Sequence, residues 1–201
     1  MIAIVDYGLG NLGSIQNMLK RIGRESIITS IPAEIEAAEK IILPGVGKFD
    51  AGIMGLHERN LVPTLYYKAF EENTPILGIC LGMQLLMEGS DEGNKAGLGW
   101  IKGRVHRFKA DSNMKVPHMG WNKVNIQNES ALTKELSFPP KFYFVHSYYV
   151  KTENEDDTFL TTEYGVTFAS GIQHGNICGV QFHPEKSHKY GMKLLNNFVE
   201  L

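Results

Sequence analysis

Short apolar runs alternate with amphipathic stretches in the first half of the chain, and this alternation restricts the fold more than any other feature. Four runs have the length of buried strands: residues 2–5, 27–31, 40–43 and 76–79. After the first run, four apolar residues repeat at helical spacing: Ile15, Met18, Leu19 and Ile22. Further helices are predicted at two segments, residues 62–72 and 83–87. Strands that alternate with helices favour a parallel sheet covered on both faces.

The second half of the chain changes to closely spaced strand-like runs separated by turn residues. These runs are residues 103–108, 122–126, 141–150, 159–164, 167–172 and 176–183. Their crowding is typical of antiparallel or mixed pairing, and residues 187–201 return to a helical pattern. We therefore predict an α/β fold, with an open, mostly parallel central sheet, helices on both faces and an antiparallel extension in the second half. Residues 1–201 are expected to form a single domain.

Composition and charge exclude several classes of function. The 201 residues carry a formal net charge of −2 and no basic stripe, so nucleic acid is not an expected partner. No apolar run approaches the roughly 20 residues that a membrane span requires, so no membrane association is expected. Residues 1–10 are predicted to form a strand rather than a signal peptide. Two cysteines, Cys80 and Cys178, do not make a disulfide framework, and a cytoplasmic location is expected.

The sequence GICLG, residues 78–82, places Cys80 between two glycines where an apolar run ends and a helical pattern begins. This G-x-nucleophile-x-G arrangement is typical of a nucleophile elbow, a sharp turn between a strand and a helix. The start of the helix offers free N–H groups and a positive dipole end, which stabilise a thiolate and a developing oxyanion. A small core cysteine between helix-packing glycines is the alternative interpretation.

An oxyanion needs hydrogen-bond donors close to the nucleophile. The N–H of Leu81, the residue after the cysteine, is the first candidate. The second donor is expected from PGVG, residues 44–47, which follows a neighbouring predicted strand, so that Val46 or Gly47 would supply it. The sequence therefore predicts an oxyanion hole between these two segments.

A thiol nucleophile needs a base and a group that orients the base. His183 ends the predicted strand GVQFH and is followed by Pro184 and Glu185. Residues i and i+2 of an extended backbone point to the same side, so Glu185 is expected to orient the His183 ring. His146 is the rival base, but no carboxylate stands near it in the sequence, which favours a structural or pocket-lining role.

Two kinds of bound group are disfavoured. The sequence GLGNLG, residues 8–13, fits the dinucleotide-binding pattern G-x-G-x-x-G, but the second predicted strand lacks the acidic residue that such a site also needs. The spacing of His183, Glu185 and His188 does not match a zinc-binding motif. We therefore expect neither a cofactor nor a metal ion.

The motifs PGVG, GICLGMQLL and VQFHPEKS, in this order and spacing, resemble class I glutamine amidotransferases, and the match covers nearly the whole chain. VDYGLGNLGS at the N-terminus, PHMGWN at residues 117–122 and YFVHSYY resemble, more narrowly, the glutaminase subunits of imidazole glycerol phosphate synthase. These three motifs together are specific, whereas the cysteine elbow or HPE alone would identify only the broad class.

The resemblance implies that the protein hydrolyses glutamine to glutamate and ammonia. Cys80 would attack the side-chain amide to form a γ-glutamyl thioester, His183 would transfer the proton, and Glu185 would orient His183. By the same resemblance, four residues are expected to bind glutamine: Gly47, Gln84, Ser147 and Tyr148.

The resemblance also implies a partner. In this family the ammonia travels to a (β/α)8 cyclase subunit that makes imidazole glycerol phosphate in histidine biosynthesis, and the two subunits form a heterodimer. Four residues are expected at or near that interface: Asn11, Trp121, Tyr143 and Lys186.

Two alternative functions share this fold. A paralogous subunit with the same glutaminase site would supply ammonia to a different synthase, such as a sugar-amidating enzyme. A catalytically silent binding module would keep only the fold. The intact cysteine, histidine and glutamate argue against the silent module, whereas nothing in the glutaminase site separates the two ammonia acceptors.

Overall fold

The structure, a computed structural model, describes residues 1–109 and 115–201, and most of its strands join one ten-stranded sheet. The strands are β1 (Ile2–Val5), β2 (Ser26–Thr29), β3 (Lys40–Leu43), β4 (Ile76–Ile79), β5 (Gly103–Arg107), β6 (His118–Lys123), β7 (Asn125–Ile126), β8 (Lys141–His146), β9 (Tyr148–Thr152), β10 (Thr158–Tyr164), β11 (Val166–His174) and β12 (Ile177–Val180). The helices are α1 (Leu12–Arg21), α2 (Pro32–Glu36), α3 (Phe49–Glu58), α4 (Val62–Phe70), α5 (Leu81–Leu85) and α6 (His188–Val199).

Five neighbouring strands form the parallel half of the sheet, in the order β2-β1-β3-β4-β12. The side chains of β1, β4 and β12 are buried throughout, as expected for strands that helices cover on both faces. The carboxyl ends of parallel strands lie at one edge of the sheet. The segments that follow Leu43, Ile79 and Val180 are therefore side by side.

The antiparallel half begins at β12, which pairs in parallel with β4 on one side and antiparallel with β11 on the other. β10 and β7 continue the sheet beyond β11, and β9 links β11 to β5. The predicted fold class, a mostly parallel sheet with an antiparallel extension, is confirmed.

Helices cover both faces of the parallel half. α3 and α4 pack into one apolar cluster, in which Leu56 and Leu65 are buried. α1 and α6 pack into the other, through Leu19 and Leu195. Burial of one such leucine contributes roughly 1.5–3 kcal/mol, so packing rather than intrinsic propensity stabilises these short helices. Within the described ranges, no helix is both long and apolar enough to cross a membrane.

The structure corrects three predicted strands. The predicted strand at residues 122–126 is divided at Val124, because β6 belongs to a separate ribbon and β7 pairs with β10 in the main sheet. The predicted strand at residues 141–150 is divided at Ser147: β8 pairs with β6 in a separate two-stranded ribbon, whereas β9 pairs with β5 and β11 in the main sheet. The predicted strand at residues 176–183 ends at Val180. In each case the strand-like sequence pattern continues past the residue where the pairing stops, so the pattern does not indicate the end of the strand.

Candidate active site

Cys80 lies between β4 and α5, at the carboxyl edge of the sheet. Its backbone has a φ of 54° and a ψ of −106°, a positive-φ conformation that a residue with a Cβ rarely adopts. The N–H of Cys80 donates to the carbonyl oxygen of Val180 at 2.8 Å, and the N–H of Gln84 donates to the Cys80 carbonyl at 3.2 Å. These two bonds hold a sharp, strained turn of the kind that the glycine pattern predicts.

Two close approaches explain the glycines on either side of Cys80. A Cβ at Gly78 would lie 2.7 Å from the backbone nitrogen of Met83. A Cβ at Gly82 would overlap the carbonyl oxygen of Leu43, at the end of β3. The elbow is therefore pressed against the neighbouring strand, and only glycine fits at these positions.

His183 and Glu185 follow β12, the strand beside β4. Residues 184–186 form a 3-10 turn, so the extended backbone predicted between the two residues is wrong. The side chains meet all the same, because this turn brings Oε1 of Glu185 to 2.8 Å from Nδ1 of His183. Both side chains are almost fully buried. The carboxylate holds the proton on Nδ1 and leaves Nε2 available for other chemistry.

Nε2 of His183 is buried and has no hydrogen-bond partner among the described residues. Burial by itself lowers the pKa of this imidazole, but Cys80 and Glu185 outweigh burial and raise the pKa to about 10. The thiol, the imidazole and the carboxylate are distant along the chain, but they follow the ends of two adjacent strands, β4 and β12.

A cavity of about 350 Å³ lies beside Cys80, within the range of small-molecule sites. Seven residues singled out from the sequence line it: Val46, Gly47, Cys80, Leu81, Gln84, Ser147 and Tyr148. His146, expected to be structural or pocket-lining, also lines it, as do three residues not singled out: Glu92, Pro117 and Val145. His183 and Glu185 are not among the lining residues. Within the described part of the chain, no group of three His, Cys, Asp or Glu side chains could hold a metal ion.

Glu92 lines the cavity and also binds the start of helix α3. Its Oε2 accepts from the N–H of Phe49 at 2.9 Å, at the first residue of α3. A carboxylate at this position satisfies a free helix N–H and complements the helix dipole. Because 43 residues separate the two partners, no local motif predicts the contact.

The loop PGVG, residues 44–47, lies against the elbow. The carbonyl oxygen of Gly45 accepts from the N–H of Leu81 at 3.3 Å. The buried hydroxyl of Tyr7 donates to the carbonyl oxygen of Pro44, and burial raises the pKa of Tyr7, which keeps this donor protonated. The predicted oxyanion donor, the N–H of Leu81, is therefore already hydrogen-bonded in this conformation.

Two buried glutamines form a hydrogen-bonded pair next to the sulfur. Nε2 of Gln84 donates to the carbonyl oxygen of Tyr148 at 3.1 Å and to Oε1 of Gln181 at 3.0 Å. Nε2 of Gln181 donates to Sγ of Cys80 at 3.7 Å. Sequence reasoning did not single out Gln181, because GVQFH has the pattern of an ordinary strand and both partners are about one hundred positions away.

His118 and His146 are buried opposite one another on the ribbon, with 2.9 Å between Nδ1 of His118 and Nε2 of His146. Nδ1 of His146 lies 2.7 Å from the carbonyl oxygen of Tyr148. Burial lowers the pKa of His118 to about 4 and that of His146 to about 3, so both rings are neutral at pH 7. Both ring nitrogens of His146 are committed to these partners, which favours its structural role over that of a base.

Three of the four predicted interface residues form a surface cluster. Trp121 and Tyr143 face each other across the ribbon, with 6.4 Å between their ring centroids, and Nζ of Lys186 lies 5.9 Å from the Tyr143 ring. Trp121 is 47% exposed. Asn11 stands immediately before α1. Because Lys186 directly follows Glu185, this cluster borders the candidate active site.

An elbow thiol with a histidine and a glutamate, on a mostly parallel sheet, defines a class of protein. Residues 3–201 match the family model described as glutamine amidotransferase class-I, and the chain belongs to that family. Solved structures agree on the fold. A glutamine amidotransferase crystal structure has a TM-score of 0.75 at 18% identity, covering 100% of this chain and 98% of that one. PurLQS from Thermotoga maritima has a TM-score of 0.75 at 19% identity, covering 99% and 97%.

Sequence relatives narrow the class further. The imidazole glycerol phosphate synthase subunit HisH 2 of Methanococcus maripaludis is 52% identical, over 100% of this chain and 99% of its own. HisH 2 of Pseudomonas aeruginosa is 47% identical over 100% of both chains, and HisH of Moorella thermoacetica is 49% identical over 100% and 94%. The chain belongs to the HisH family of imidazole glycerol phosphate synthase subunits, and the resemblance indicated by its motifs is confirmed.

Proposed function

We propose that the protein is the glutaminase subunit of an imidazole glycerol phosphate synthase and supplies ammonia to a (β/α)8 cyclase in histidine biosynthesis. One observation carries the proposal: the elbow thiol of Cys80 and the imidazole of His183, which Glu185 orients, follow adjacent strands, and the thiol lines a cavity large enough for an amino acid. Full-length similarity to HisH subunits supports the same conclusion.

In the proposed reaction, the sulfur of Cys80 attacks the side-chain carbonyl carbon of glutamine as the thiolate, because His183, with a pKa raised to about 10, already carries a proton on Nε2 at pH 7. His183 gives that proton to the amide nitrogen, the C–N bond breaks, and ammonia leaves. Water then attacks the γ-glutamyl thioester and gives a proton to Nε2 of His183, the C–S bond breaks, and glutamate departs, which restores the thiolate and the protonated imidazole. Glu185 keeps the Nδ1 proton in place throughout.

The tetrahedral intermediates carry negative charge on the former carbonyl oxygen, and we propose that Leu81 and the loop residue Val46 or Gly47 donate to it. The N–H of Leu81 is bonded to Gly45, so the loop must turn before this donor becomes free. One oxyanion donor changes the rate by about 10²–10³-fold. The conformation with the Gly45 bond is therefore expected to hydrolyse glutamine slowly.

Four residues are proposed to hold the substrate because they line the cavity beside the sulfur: Gly47, Gln84, Ser147 and Tyr148. The amide nitrogen of Gln84 is committed to Tyr148 and Gln181, so Gln84 would receive the substrate through Oε1. Because this site has polar groups that need hydrogen-bond partners, it should reject glutamine analogues that lack the matching polar atoms.

The cyclase is proposed to dock on the surface formed by Trp121, Tyr143 and Lys186, with Asn11 at its margin, to give a heterodimer. An exposed tryptophan with a half-buried tyrosine and a cation beside it is typical of the centre of an interface. We also propose a cytoplasmic location, which is consistent with two buried cysteines that form no disulfide.

The variant Cys80→Ala tests the proposed nucleophile in complex with a (β/α)8 cyclase. Product formation from glutamine should fall by at least about 10³-fold, because no thioester can form, whereas formation from added ammonium salt should persist. The matched control is Cys178→Ala, since burial raises the pKa of the Cys178 thiol to about 12 and keeps it inert. Loss of both activities in Cys80→Ala would contradict the proposal.

The partner is tested by measuring glutamate release from the isolated chain and after addition of the cyclase with its own substrate. We expect slow release alone and an increase of about 100-fold in the complex, because the loop has to free the N–H of Leu81. Full turnover by the isolated chain would contradict this coupling. Activation by a sugar-amidating synthase in place of the cyclase would favour the alternative acceptor.

A further inference from the structure

A chain of hydrogen bonds leads from a backbone carbonyl to the sulfur of Cys80. Its links are the carbonyl oxygen of Tyr148, the amide of Gln84, the amide of Gln181 and then Sγ of Cys80. Gln181 is 0% exposed, and a buried amide is costly unless its polar atoms are paired. Both polar atoms of the Gln181 amide are paired: Oε1 accepts from Gln84, and Nε2 donates to the sulfur of Cys80.

The Tyr148 carbonyl determines the direction of every link. A carbonyl oxygen only accepts, so the Gln84 amide must present its NH₂ group to Tyr148. The same NH₂ group faces Gln181, which must therefore present Oε1 to Gln84. The NH₂ group of Gln181 is then left for the sulfur. Reversal of either amide would place two acceptors or two donors against each other.

The buried histidines of the ribbon also fix the carbonyl group of Tyr148. Nδ1 of His146 donates to the Tyr148 oxygen, so Nε2 of the neutral ring accepts from Nδ1 of His118. Nε2 of His118 then accepts from Nδ2 of Asn122, 3.2 Å away, which also donates to the carbonyl oxygen of Glu163. The carbonyl at the origin of the chain is thus fixed by donors from two separate elements.

We propose that Gln181 is a positioning residue that holds the sulfur of Cys80 through an N–H donor whose orientation Gln84 and the Tyr148 carbonyl determine. This inference rests on the proposed role of Cys80 as the nucleophile. An N–H aimed at sulfur favours the thiolate over the thiol and restricts the side-chain rotamer. Gln181 touches no substrate in this arrangement and acts only through Cys80.

The variant Gln181→Met keeps the length of the side chain and removes its donor. In the isolated full chain, alkylation of Cys80 by iodoacetamide at pH 7 should slow about tenfold, and the midpoint of its pH profile should rise by about one unit. Peptide mass spectrometry separates Cys80 from Cys178, which is fully buried. In the complex with the cyclase, kcat for glutamine should fall about tenfold, with KM within about twofold of wild type.

A second variant separates positioning from packing. Gln181→Glu keeps the shape and the acceptor for Gln84, but places a carboxylate instead of a donor beside the sulfur. We expect Gln181→Glu to slow alkylation more than Gln181→Met does, whereas a purely structural role predicts the reverse order. The matched control is Gln173→Met, in β11, where the side chain bonds Ser130 and Gly175 and alkylation should be unchanged.

The outcomes are distinct. An unshifted alkylation profile in a Gln181→Met protein with wild-type thermal unfolding would overturn the inference, as would faster alkylation in Gln181→Glu than in Gln181→Met. If Gln181→Met does not fold, Gln84→Met tests the inference one link earlier, because it removes the group that orients Gln181. Gln84→Met should slow alkylation of Cys80 about threefold. Unchanged alkylation in that variant would also overturn the inference. A shifted profile in a protein with no glutamine turnover would sustain the inference and defeat the proposed function.

Discussion

Cys80, the proposed nucleophile, has a backbone conformation that the surrounding residues enforce. Its positive φ is held by the carbonyl of Val180 and by the two flanking glycines, which allow β3 and α5 to approach closely. The sharp turn could be predicted, because GICLG contains the cysteine and both glycines within five residues, whereas its contact with Val180 could not. Gln181 could not be predicted, because its role depends on Gln84 and Cys80, which only the folded sheet brings to it.

At this scale, the glycine after the cysteine gives a stability prediction. Gly82→Ala should lower the free energy of unfolding by about 3 kcal/mol, because the new Cβ would overlap the carbonyl oxygen of Leu43. Gly13→Ala, in α1, has open space around its Cβ and should raise the same quantity by about 0.5–1 kcal/mol. Urea titration measures both changes. Equal stability of the two variants would contradict the close approach.

At the scale of elements, one apolar run contributes to two different sheets. Its first part, β8, pairs with β6 in the ribbon, and its second part, β9, joins the main sheet. The sequence predicts continuous strand over residues 141–150, because aromatic residues stand on both sides of the break at Ser147. Two helices also gave no sequence signal. α2 is only five residues long, and α3 contains Gly52 and Gly55, which weaken a helical pattern but let α3 approach Leu85 and the Tyr7 backbone.

The ribbon predicts a pH effect on stability. The folded-state pKa of His118, about 4, lies below the ordinary value near 6.5, so its contribution is complete above pH 6.5 and is lost as the pH falls toward 4. His118→Phe keeps the stacking against Phe144 and Tyr164 but has no ring to protonate. Between pH 7 and 4, its Tm should fall by about 5 °C less than that of wild type.

Thermal unfolding at several pH values measures this difference, and carboxylates that titrate in the same range cancel between the two proteins. His57→Phe, at an exposed position of α3, serves as the matched control and should keep the wild-type pH dependence. Parallel curves for His118→Phe and wild type would show that the buried ring is not the group responsible.

At the scale of the whole molecule, strand order decides which residues meet. The alternation of strands and helices predicts a parallel half, and the crowded strands predict an antiparallel half. Neither pattern indicates that β12 lies between β4 and β11, with Val180 opposite Ile79. That register brings His183 to Cys80. Pairings of this kind depend on contacts between distant segments, which single-sequence patterns do not contain.

The distribution of exposed aromatic residues gives a prediction about assembly. Trp121→Ala should weaken cyclase binding by about 2 kcal/mol, roughly 30-fold in Kd, because large aromatic residues dominate interface energies. Tyr66→Ala is the control: Tyr66 is 51% exposed, similar to Trp121, but α4 covers the other face of the sheet. Isothermal titration calorimetry measures both. An equal loss in the two variants would show that the ribbon is not the docking surface.

The position of β12 near the end of the sequence has a consequence for the protein during its synthesis on the ribosome. Until residues 177–183 have been synthesised, the nascent chain contains the cysteine but neither the carbonyl of Val180, which anchors its turn, nor the imidazole beside it. In the folded protein, β12 joins the two halves of the sheet and leads directly to His183, the proposed base. If His183 is the base, as proposed, a chain still lacking these residues cannot hydrolyse glutamine, and the activity begins only when the last strand of the sheet is in place.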